Sequence, residues 1–96
     1  GCLYDQVLRV DLPPGDYRVR LALTHRSYTS PGVRCDVYAQ NRQVLDNLSV
    51  SPREPGTFDA AAPDGRLTLR IALDPKASTG RIQEWAVERI VLERTR

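Results

Sequence analysis

The sequence predicts an all-β domain, a two-sheet antiparallel β-sandwich of about seven or eight short strands. Three observations carry this expectation. Apolar residues recur at every second position, turn signals rich in Pro, Gly and Asp arrive about every ten residues, and no helical repeat of apolar residues runs for the length of a helix. At 96 residues the chain reads as one domain, 1–96, and its 41% hydrophobic content suits a single core.

The elements follow in chain order. Leu8, Val10 and Leu12 alternate with Arg9 and Asp11, the pattern of a half-buried strand. Pro13-Pro14-Gly15-Asp16 is a compact turn, and Tyr17, Val19, Leu21 and Leu23 resume the alternation, so the two segments read as a hairpin. Residues 24–32 are loop by composition. The next strand sets Val33, Cys35, Val37 and Ala39 on one face and Arg34, Asp36, Tyr38 and Gln40 on the other. Asn41-Arg42 reads as a tight turn into Gln43-Val44-Leu45, with a further short strand at Asn47–Val50 and a connection from Ser51 to Gly56. Phe58, Ala60 and Ala62 point inward from the following strand, and Pro63-Asp64-Gly65 turns the chain into the clean alternation of Leu67, Leu69, Ile71 and Leu73. Asp74–Glu84 is a second long loop. In the last strand, Trp85 and Val87 share one parity and Ile90 and Leu92 the other, so a β-bulge near Glu88-Arg89 is expected.

Composition narrows the function. The net charge is +2, and the arginines alternate with apolar residues along strands instead of forming one stripe, which argues against a nucleic-acid surface. No apolar run approaches the ~18 residues of a membrane span. Cys2 and Cys35 are too few for a zinc set. If they pair, closing a loop of about 33 residues would stabilise the fold by roughly 3–4 kcal/mol. The alternative is a buried Cys35 acting as a small hydrophobe and a free Cys2.

Chemistry-bearing patterns are sparse. His25 is the sole histidine and stands beside no nucleophile motif; it reads as a polar residue at a loop edge. The carboxylates sit at turns or at outward strand positions, so the domain is not expected to be an enzyme. Asn47-Leu48-Ser49 matches a glycosylation sequon, which matters only in a eukaryotic secreted protein. Among the aromatics, Tyr17 takes an inward position, Tyr28 lies in the first long loop, and Trp85 borders the second, either as a core anchor or as a ligand platform.

Several segments carry a resemblance. Val10-Asp11-Leu12-Pro13-Pro14-Gly15-Asp16-Tyr17-Arg18-Val19 resembles the opening strand–turn–strand of malectin-like and related galactose-binding-like carbohydrate-binding modules. Asp36–Ala39 with Gln43–Leu48, Asp64–Leu69, and Trp85–Leu92 are similar to later segments of that family, in family order. The resemblance implies a jelly-roll sandwich in an extracellular or secreted setting, often an accessory module of polysaccharide-degrading enzymes. Its members bind glycans through aromatic-bearing edge loops, and some relatives hold a structural calcium ion. No motif in this chain supports calcium, and no cofactor is expected. The chain is shorter than the usual member and has Asn41-Arg42 where an asparagine-glycine turn is usual.

The expectation is therefore a non-catalytic glycan-binding module with Arg26, Tyr28 and Trp85 as contacts. The alternative is a structural or assembly module. Such a domain would be a subunit of an extracellular filament or surface layer, or a scaffold packing on a catalytic neighbour, joined through an exposed edge strand.

Overall fold

The computed structural model describes residues 5–25, 34–74 and 85–96. They form seven strands: β1 (Gln6–Asp11), β2 (Gly15–His25), β3 (Arg34–Ala39), β4 (Arg42–Ser49), β5 (Gly56–Ala62), β6 (Arg66–Leu73) and β7 (Trp85–Arg94). Two antiparallel sheets result, one ordered β1-β6-β3-β4 and the other β5-β2-β7. This is the β-sandwich that the alternation predicts.

Period-two patterning turns directly into burial. Tyr17, Val19, Leu21 and Leu23 of β2 meet Cys35, Val37 and Ala39 of β3 and Leu67, Leu69 and Ile71 of β6 in one core cluster, closed by Leu48, Val50, Phe58 and Ala62. Each large aliphatic side chain removed from water here contributes about 1.5–3 kcal/mol. The predicted break of phase in the last strand is present. The register with β2 shifts between Ala22 and Leu23, which pair with Arg89 and Val87, so Glu88 is the extra residue of the bulge. The shift lets Val87, Ile90 and Leu92 all pack against the core.

Three local expectations change. The segments around Pro13-Pro14 do not form a hairpin: β1 pairs with β6, while β2 pairs with β5 and β7. Alternation marks the face that each strand buries, but it carries no information about the neighbour. Apart from β3–β4, every connection carries the chain from one sheet to the other. The two short crossings brace each other, because the Leu12 N–H donates to the Gly65 carbonyl at 2.9 Å. The Tyr17 hydroxyl also donates to the Pro13 carbonyl across the first crossing, a clamp of the tyrosine-corner kind.

The β3–β4 turn is formed by Gln40-Asn41 (φ 53° and 64°) and not by Asn41-Arg42. Ala39 faces Arg42 across it. Two consecutive residues of positive φ are what a two-residue hairpin of primed type requires, and Gln40 is held there by side-chain bonds to the Ala61 and Arg66 carbonyls. Finally, Gln43–Leu45 and Asn47–Val50 are not two strands. β4 runs unbroken from Arg42 to Ser49, with Asn47 at φ 57°.

Candidate functional site

Because every pairing is antiparallel, strand direction alternates with chain order. The turns after β1, β3 and β5 therefore gather at one end of the sandwich. The ends of β2, β4 and β6 lie at the other, together with the start of β1. The strand ends flanking 26–33 and 75–84 thus belong to one end, where His25 of β2 pairs with Trp85 of β7.

Arg26 and Tyr28 lie outside the described residues, as does Cys2, on which the disulfide reading depends. Trp85 opens β7, but its side chain is likewise outside them. Cys35 is a buried, free thiol. Burial, then the negative charges of Asp36, Asp5 and Asp74, push its pKa up to about 12.

Next to this loop end, the outer face of the four-stranded sheet carries a cluster the sequence reading did not single out. Between the Cys35–Leu48 and Val37–Leu45 pairs the β3–β4 register slips, so Asp36 lies opposite both Asp46 and Asn47. Asn47 takes up the slack in the left-handed region, and its N–H donates to Asp36 Oδ1 at 3.1 Å. Across the sheet Asp36 pairs with Ala72, and just past the end of β6 the Asp74 N–H donates to the Arg34 carbonyl at 3.0 Å. One carboxylate oxygen from each of Asp36, Asp46 and Asp74 lies within 4.8 Å of the others. Three hard oxygen donors of this kind can hold a divalent cation such as Ca²⁺. Like charges this close are also relieved by a shared proton. The hydrogen bond between Asp46 and Asp36 is of that second sort: it is the main reason the Asp46 carboxyl is held above its ordinary range, with the Asp36 and Asp74 charges adding to it.

Beside the carboxylates stands Tyr38, paired with Arg70 of β6 on one side and Gln43 of β4 on the other. The Arg70 guanidinium carbon is 4.0 Å from the Tyr38 ring centroid, a cation–π contact. Its Nη1 also bonds Asp5 Oδ2 at 3.0 Å. Both partners of that ion pair are about half exposed, so it adds little stability. What it does is hold a planar donor against the ring. Tyr17 and Phe58 are buried in the core. Tyr38 is therefore the aromatic ring on an outer face among the described side chains. The signal for it was present in the sequence, since alternation put Tyr38 and Asp36 on the solvent side of one strand. The bulge that draws Asp46 in was not visible there, and neither was the neighbour β6 that supplies Arg70 and, just past its end, Asp74.

Compared with protein-family models, curated proteins and solved structures, the chain matches none.

Proposed function

We propose that this domain is a non-catalytic carbohydrate-binding module that takes a glycan on the outer face of the four-stranded sheet, reaching from Tyr38 toward the loop end of the sandwich, in an extracellular or secreted setting. The observation that carries the reading is Tyr38. Its aromatic ring stands on the outer sheet face between a fixed guanidinium and a group of carboxylates. Sugars present two surfaces, an apolar C–H face and a rim of hydroxyls. An aromatic ring accepts the first on the face that Arg70 does not cover, while the charged donors and acceptors around it hydrogen-bond the second. The resemblance to malectin-like modules supports the same ligand class, as does the placement of the strand ends that carry 26–33 and 75–84 at this end. Arg26, Tyr28 and Trp85 are then the companion contacts.

Affinity electrophoresis against a panel of neutral and acidic polysaccharides tests the reading. Wild type is expected to be retarded by at least one of them. Tyr38→Ala, which removes an outer-face ring and leaves the core intact, is expected to weaken binding by about tenfold, or ~1.4 kcal/mol. Wild-type mobility unchanged by every polysaccharide would discard the proposal, and so would retention untouched by both Tyr38→Ala and Tyr28→Ala.

A further inference from the structure

The assembly alternative raised by the sequence can be given a particular edge and register, on grounds independent of glycan recognition. We propose that the domain self-associates by antiparallel pairing of β5 with β5 of a second copy. Among the described residues β5 pairs only with β2, so its other side is a sheet edge there. The Asp16 N–H and carbonyl are engaged with Arg96 and Thr95 on the β7 side. Peptide groups alternate along a strand, so Gly15, Tyr17, Val19 and Leu21 turn theirs to β5. Their partners Ala62, Ala60, Phe58 and Gly56 face β2 in return, and Thr57, Asp59 and Ala61 present their N–H and carbonyl groups to the open side. The Ala61 carbonyl is already taken by the Gln40 amide at 2.9 Å. The backbone groups of Thr57 and Asp59 carry no further bond among the described residues.

This edge has no bulge, proline or lysine to block strand addition; its one charge is Asp59, and Gln40 covers only its Ala61 end. β4 and β7 have register shifts, and β1 runs into Pro13-Pro14. β5 is regular against β2 over its whole length and contains neither proline nor lysine. A groove of about 210 Å³ lies along it, bordered by the small side chains of Ala39, Ala60 and Ala61 with Arg42, Val44 and Asp59.

A two-fold axis can meet this edge in few ways. A register centred on Asp59 sets two carboxylates face to face, and one centred on Ala60 needs the Ala61 carbonyl that Gln40 holds. Centring on Phe58 avoids both. Thr57 then exchanges its N–H and carbonyl with those of Asp59 in the second copy, and Asp59 does the same with Thr57. On the outer face, Asp59 is 3.4 Å from its own Arg18, and Arg20 lies opposite Thr57. The joined sheet therefore brings Arg20 of the second copy to within two strands of Asp59, about 10 Å between backbones. That is inside the combined reach of the two side chains. Arg20 has no ion pair among the described residues of one copy, so association supplies its counter-charge.

Sedimentation velocity over a concentration series, paired with amide hydrogen exchange, tests the proposal. The wild type is expected to sediment faster as concentration rises, with exchange at Thr57 and Asp59 slowing in step. Thr57→Pro removes an outward N–H without touching the β2 ladder, so it should abolish association; Thr57→Val keeps the peptide group and should retain it. Wild type that stays monomeric at millimolar concentration would overturn the proposal. Association persisting in a folded Thr57→Pro protein would do the same. Should that variant not fold, wild-type exchange at Thr57 and Asp59 that ignores concentration is decisive against it. Polysaccharide retention of the same proteins is a separate readout, so failure here leaves glycan binding standing, and the reverse holds too.

Discussion

Replacing Gly65 by alanine tests the crossing architecture most directly. Gly65 sits in the β5–β6 crossing at φ +77°, and a Cβ built there would lie 2.7 Å from the Leu12 carbonyl oxygen. The first cost is conformational: a side chain in the left-handed region gives up about 1–2 kcal/mol. The second is steric. The atom in the way belongs to the backbone of the other crossing, which the Leu12 N–H bond to the Gly65 carbonyl ties in place at 2.9 Å. Retreat strains or breaks that bond, worth about 1 kcal/mol. Together these amount to about 2–3 kcal/mol, a large share of the roughly 5–15 kcal/mol expected for a domain. Urea unfolding followed by tryptophan fluorescence and far-ultraviolet dichroism should show the midpoint falling with an unchanged slope. The thermal midpoint should drop by roughly 10–20 °C. A Gly65→Ala protein within about 0.5 kcal/mol of wild type would refute the reasoning, because the two crossings could not then be locked together as described.

The other predictions are smaller in scale. Tyr17→Phe deletes the hydroxyl that donates to the Pro13 carbonyl while keeping the buried ring, and is expected to cost about 1 kcal/mol in the same unfolding experiment. Cys35, with its pKa pushed up to about 12, should resist iodoacetamide at mildly alkaline pH until denaturant is added; mass spectrometry of the Cys35 peptide reads this, and rapid native labelling would contradict the burial. Asp46 has a raised pKa, mainly through its hydrogen bond with Asp36, so the folded chain holds that proton more tightly than the unfolded one. The associated stability is present below the unfolded carboxyl range, near pH 4, and is lost as pH rises through the folded value. Asp46→Asn should accordingly melt higher than wild type at neutral pH, with the gap closing on acidification; a gap independent of pH would show that the two carboxyls do not interact.

How much of this was legible in the chain depends on the range of the interaction responsible. Side-chain alternation is local, and it alone determined that the domain is all-β. It assigned Leu67, Leu69 and Ile71 to the core and Tyr38 and Asp36 to the solvent face, and it announced the β7 bulge through the change of parity between Val87 and Ile90. Strand neighbours are chosen by long-range packing that no local pattern encodes, so the segments around Pro13-Pro14 look like a hairpin in sequence and cross between sheets in space. The β3–β4 turn moved by one residue because Gln40 is anchored by carbonyls of β5 and β6, far away in the chain. The same holds for the candidate site. Its outward residues could be read from the sequence, but a single slipped register and one β6 neighbour were needed to bring Asp36, Asp46, Asp74, Arg70 and Tyr38 together, and only tertiary structure decides those.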